Sequence, residues 1–198
     1  MRVFGIDPGS QRTGYGCVET DGRRHRLVMC GAISTAGGSC FAERLAVIYR
    51  GLAELLRECA PSVVAVENLF HAANVRSALK LGHARGVAML AAVEAGLEVV
   101  EYTPAEIKMA VVGYGRAEKP QVQQMIKLLL GLAAIPSPHD AADALAVALC
   151  HVHRIPRAAA ERTLGRPAPR SAAKSWRTYR PADPAVRLVS ARPGVRRP

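Results

Sequence analysis

An α/β fold, with one mixed five-stranded sheet and helices on its faces, is what the order of apolar segments predicts. Three strand-like runs open the chain, and turn residues crowd the link between the first two. Two further short apolar runs then alternate with segments of helical period, and helices alone follow. An antiparallel start followed by alternating strand and helix gives a mixed sheet covered on its faces.

The opening strands are read at Arg2–Ile6, Tyr15–Glu19 and Leu27–Ile33. Pro8-Gly9-Ser10 and Arg12-Thr13-Gly14 supply hairpin chemistry between the first two. From Phe41 to Cys59, Leu45, Ile48, Leu52, Leu55 and Leu56 recur at a helical period. Pro61-Ser62 resets the chain before Val63–Val66, an apolar run suited to a buried strand. The polar stretch Asn68–Asn74 leads into a long helix, about Val75 to Ala95. A strand at Leu97–Tyr102 is followed by a helix with Thr103 as N-cap and Pro104 in its first position. Gly113-Tyr114-Gly115 separates it from a helix at Glu118–Leu130, and the last helix spans Pro138–Val152. Arg154-Ile155-Pro156 marks the expected end of the ordered domain, which makes residues 1–153 one domain and 154–198 a basic tail.

The chain of 198 residues is long enough for one well-buried core. Its net charge of +11 is unevenly spread, because residues 154–198 hold 12 of the 27 Lys and Arg but only two acids, Glu161 and Asp183. The tail thus carries +10 and the remainder +1. A Pro-, Arg- and Ala-rich segment of this kind is expected to be disordered, either as a solubilising tail or as a sequence-blind polyphosphate binder. No apolar run approaches the roughly 20 residues that span a bilayer. The strand-like start at Met1 carries no leader pattern, so a cytoplasmic protein is expected. Five cysteines without a CxxC pair suggest separate reduced thiols.

Four acids stand out. Asp7 follows an apolar strand and opens Asp7-Pro8-Gly9, which taken alone is ordinary turn chemistry. Glu67 ends the run from Val63, where open α/β sheets gather their functional groups, although a loop-edge glutamate reads equally well. Asp140 and Asp143, spaced i, i+3, share one helix face among small and apolar neighbours. Ser137 as a helix cap would explain Asp140 but not Asp143. Taken together, two acids at strand ends and two on a late helix can converge on one spot. All-oxygen donors suit Mg²⁺ or Mn²⁺, two per site, for phosphodiester hydrolysis. His139, directly before Asp140, reads as a surface histidine at a helix start or as an added ligand or proton acceptor.

GIDPGS with TGYG, VEN-F, SALKLG-ARGVA, VVG-G-AEK-QV and DAADALA occur in this order between Gly5 and about Val152. The ordered set resembles the RuvC family of Holliday junction resolvases. The resemblance implies a ribonuclease-H-like fold, a homodimer, and paired symmetric nicks in a four-way DNA junction during recombination and repair. It further implies 5′-phosphate and 3′-hydroxyl ends and a branch-migration partner, RuvA–RuvB. Asp7, Glu67, Asp140 and Asp143 match the family's metal-binding carboxylates. Lys108 and Lys119 match two lysines of the active site and DNA backbone, and Phe70 an aromatic side chain near the junction centre. In the long helix, Ala78, Gly82, Gly86 and Ala91 offer small positions for a neighbouring helix, in the same subunit or, as the resemblance favours, in a dimer partner.

Other readings remain at this level. An actin-like kinase also opens with GID-G but would bind nucleotide and need a second domain. A scaffold would need none of the four acids. A ribonuclease on the same fold would prefer an RNA–DNA hybrid to a junction.

Overall fold

The computed structural model describes residues 1–35, 40–68 and 74–155. Phe70 and the tail beyond Ile155 lie outside them. The strands are β1 (Arg2–Asp7), β2 (Arg12–Thr20), β3 (His25–Ser34), β4 (Val63–Glu67) and β5 (Glu98–Tyr102). The helices are α1 (Phe41–Cys59), α2 (Val75–Glu94), α3 (Pro104–Val112), α4 (Lys119–Leu129) and α5 (His139–Arg154). In the sheet the order is β3-β2-β1-β4-β5. β1 pairs antiparallel with β2, and β2 with β3, while β1, β4 and β5 run parallel. The mixed sheet expected from the segment order is therefore present, with its antiparallel half at one side.

Alternation along the strands divides the interior in two. Val3, Val18, Val63 and Ala65 pack with α3, α4 and α5 on one face. Phe4, Ile6, Cys17, Val64 and Val66 pack with α1 and α2 on the other. Of α5, nine residues from Ala141 to Cys150 are buried, because the helix is enclosed between the sheet and α3 and α4.

Several local readings need correction. β2 begins at Arg12 rather than Tyr15. Asp7 pairs with Gly14 and Arg12 with Ser34, so only residues 8–11 are left to turn. The turn is closed by Thr13, whose Oγ1 donates to the Gly9 carbonyl at 2.9 Å. At α5 the N-cap is Pro138 without any side-chain cap, so Ser137 does not have the capping role considered for it. Thr103 does cap α3, in a reciprocal box with Glu106.

The cysteines are corrected at one place. Cys17 and Cys59 meet sulfur to sulfur as a disulfide in the α1/α2-side core. Cys30, Cys40 and Cys150 are free. Burial pushes the Cys150 thiol up to about 11, which suits an inert core residue.

Candidate active site

The parallel pairing of β1 with β4 sets Ile6 beside Val66. Asp7 and Glu67 therefore leave the same edge of the sheet side by side. α5 reaches that edge because β1 and β2 offer it a floor of glycines. A Cβ at Gly5 would stand 2.0 Å from the Ala144 carbonyl oxygen, and one at Gly14 would stand 2.0 Å from that of Asp140. At Gly16 it would meet the Leu145 side chain at 2.7 Å. No side chain fits in those gaps, so the helix backbone lies directly on the strands. The first turn of α5 is thereby fixed over Asp7.

Asp7, Glu67 and Asp143 line a cleft of about 330 Å³ together with Lys108 of α3 and Lys119 at the start of α4. Pro104, Ile107, Val122 and Ala146 supply its apolar wall. Lys119 Nζ donates to Asp143 Oδ2 at 2.5 Å. Asp140 stands outside this lining, with the Nε of Arg12 at 3.7 Å from its Oδ2. His139 is exposed and its Nδ1 is 2.9 Å from the side-chain nitrogen of the buried Gln123. That contact belongs to a helix-start surface histidine rather than to a residue of the cleft.

The electrostatics follow from crowding. Burial is the largest influence on Asp7, and Glu67, Asp143 and Asp140 add repulsion, which together push its carboxyl up to about 8. Glu67 is raised in the same direction, again chiefly by burial, while Lys119 and Lys108 partly offset the effect. Burial works against the charge of Lys119, but its hydrogen bond to Asp143 and the neighbouring acids raise its pKa overall. Among the described residues no three acid, imidazole or thiol groups are already drawn into a closed ligand set. Lys119 beside Asp143 and Arg12 beside Asp140 supply positive charge there instead. Sequence reasoning missed Arg12, which it assigned to hairpin chemistry. Its placement one residue before the buried Thr13 is visible only once β2 is seen to start there.

A mixed sheet of this order, with acids at the ends of two neighbouring parallel strands and on a late helix, is the arrangement of a ribonuclease-H-like domain. The model of the family described as crossover junction endodeoxyribonuclease RuvC matches residues 3–151. The chain belongs to the RuvC family. A RuvC from Syntrophotalea carbinolica is 58% identical over 153 residues, covering 77% of this chain and 94% of the relative. One from Trichlorobacter lovleyi is 51% identical over 185 residues, covering 91% of this chain and all of the relative. Among solved structures, Thermus thermophilus RuvC in complex with Holliday junction substrate is similar with a TM-score of 0.74 and 38% identity, over 77% of this chain and 93% of that one. The yeast mitochondrial resolvase Ydc2, at 14% identity and a TM-score of 0.55, covers 80% of this chain and 81% of its own, and shares the fold alone.

Proposed function

We propose that this chain is a structure-specific endonuclease that resolves four-way DNA junctions by paired, symmetric nicks in recombination and repair. The observation that carries the reading is the cleft in which Asp7, Glu67 and Asp143 face Lys108 and Lys119, in a member of the RuvC family.

The donor set fits a hard divalent cation. It offers carboxylate oxygens only, and burial, reinforced by the neighbouring acids, raises the Asp7 pKa, so that a bound cation would compete with a proton there. Asp7, Glu67, Asp143 and Asp140 are the residues that would hold it. When bound, Mg²⁺ or Mn²⁺, two per site in this reading, supplies an activated water and charge compensation at the phosphate. Lys119 and Lys108 add fixed positive charge on the α3/α4 side, where they orient the phosphodiester and offset the charge that develops on it. In-line attack of water breaks the bond from phosphorus to the 3′ oxygen and leaves a 5′ phosphate and a 3′ hydroxyl. Phe70 completes the assignment as a side chain stacking at the junction centre.

The outward side of α2 supports a homodimer. Val75, Leu79 and Val93 are 78%, 59% and 61% exposed and lie on one stripe with Leu90. Among the described residues, nothing beyond the helix's own adjacent backbone comes within 4 Å of a Cβ placed at Gly82 or Gly86, so no described element of the same subunit packs there. Ala91, by contrast, is buried in the chain's own core. A two-fold dimer presents two clefts to the two-fold related strands of a junction. The tail, 154–198, adds non-specific backbone affinity, although Arg154 itself closes α5. RuvA–RuvB as partner rests on the family resemblance, and the cytoplasm as the place of work on the absence of a leader pattern in the sequence. Among the described residues no helix is long and apolar enough to cross a membrane.

The test is a substrate panel: a synthetic four-way junction, a linear duplex of the same sequence and an RNA–DNA hybrid, each with Mg²⁺ or Mn²⁺. Paired nicks at symmetric positions in the junction alone are expected. Preferential cutting of the hybrid would replace the reading by a ribonuclease. Binding without cutting under every metal would replace it by a scaffold.

A further inference from the structure

Asp140 is the one acid of the set that stands outside the cleft lining, and Arg12 is the side chain beside it. Arg12 is held on a rigid base. It is laddered to Ser34 of β3. Immediately before it, the Gln11 carbonyl accepts from both the amide and the Oγ1 of Thr35 at 3.1 Å. Immediately after it, Thr13 closes the turn onto Gly9. Two residues on, Gly14 lies against the Asp140 backbone with no room for a side chain. The two ends of the Arg12–Asp140 pair are thus fixed relative to each other by backbone contact.

The pair itself is loose. The Arg12 side chain is 55% exposed and approaches the carboxylate through Nε at 3.7 Å, a geometry that contributes little and is readily exchanged for a better partner. Lys119 and Lys108 reach the cleft from α4 and α3, whereas Arg12 reaches the acid pair from β2. The first turn of α5 therefore carries a cation on either side, Lys119 at Asp143 and Arg12 at Asp140. A planar guanidinium presents several N–H donors in a fork that matches a phosphate better than it matches a single distant carboxylate oxygen.

We propose that Arg12 is a DNA-backbone contact on the rim of the active site, parked on Asp140 in the free protein and passed to a phosphate beside the scissile one when a junction binds. This rests on the junction-nuclease reading above. The exchange leaves Asp140 without its cationic neighbour on the β2 side.

Binding of a fluorescent four-way junction would be measured by anisotropy in the absence of divalent cation, so that nothing is cut, over a series of salt concentrations. Wild-type protein is compared with Arg12→Gln and Arg12→Lys, with thermal midpoints recorded alongside. Arg12→Gln is expected to weaken binding ~3–10-fold and to flatten the slope of log affinity against log salt by about 0.9 per subunit. Arg12→Lys should keep the slope. A wild-type slope and affinity in Arg12→Gln overturns the proposal, as does a lowered thermal midpoint with the slope unchanged, which would make Arg12 a structural brace for Asp140. Failure of the wild-type protein to bind the junction at all overturns the junction-nuclease reading itself, and is distinguishable because it precedes any comparison of variants.

Discussion

The two faces of the sheet are built by opposite means. On the α5 face, backbone lies on backbone: Gly5, Gly14 and Gly16 bring the helix onto the strands until no Cβ fits between them. On the α1/α2 face, large side chains such as Phe4, Ile6, Ile48 and Leu52 fill the space. The outward stripe of α2 is left apolar, with Leu79 and Val93 largely exposed. The first arrangement fixes the acids of α5 over the strand ends and tolerates no slack. The second leaves a surface whose geometry is set by whatever packs on it. In the proposed function the acids belong to one face and the dimer contact to the other, so changes on each should have different signatures.

The sharpest way to break this contrast is Gly5→Ala. A methyl group 2.0 Å from the Ala144 carbonyl must push α5 off the sheet, and a destabilisation of about 3 kcal/mol or more is expected. Denaturant unfolding checks it; a change under about 1 kcal/mol would mean the glycine floor is slack. Next in size is Leu79→Lys, which places a charge on the exposed stripe. It should weaken self-association at least ~10-fold in sedimentation equilibrium while the thermal midpoint of the monomer hardly moves.

A third effect concerns pH. Because the folded protein retains a proton on Asp7 up to about pH 8, while the unfolded chain releases it near pH 4, folding without divalent cation is favoured most at the acid end. Stability should fall as pH rises from about 4 to 8 and then level off. Asp7→Asn should remove most of that decline, by about 1 kcal/mol or more at pH 8. Thermal melts with chelator present would show it, and an equal slope in both proteins would contradict it. The smallest effect is Gly82→Ala, where the new methyl group meets no other element among the described residues. It should stabilise the monomer by ~0.5–1 kcal/mol, opposite in sign to Gly5→Ala, while impairing dimerisation.

How much of this was legible in the sequence depends on whether a feature is local. The helices and strands followed from period and punctuation, as at Thr103-Pro104, where the cap is made as read. The start of β2 was not, because Arg12-Thr13-Gly14 has turn composition and becomes strand only through pairing with Asp7 and Ser34. Asp7 and Glu67 could be singled out as strand-end acids, since their positions depend on short-range chain geometry. What the sequence did not disclose is why α5 reaches them: the need for glycine at positions 5, 14 and 16 exists only in the presence of the helix. Glycine inside a strand pattern does signal a close backbone approach, so the spacing held a clue that was read only as turn and motif. The standing of Asp140 beside Arg12, apart from Asp143, likewise required the third dimension.

If the carboxylates over the strand ends serve cleavage of the junction rather than only the stability of the fold, loss of Asp7 separates binding from cutting. Asp7→Asn and wild-type protein, each with a labelled four-way junction and Mn²⁺, would be followed for binding and for cleavage under single-turnover conditions. Binding within a few-fold of wild type is expected, with cleavage reduced by on the order of 10³-fold or more. Cleavage by Asp7→Asn at a rate close to that of the wild type would contradict it.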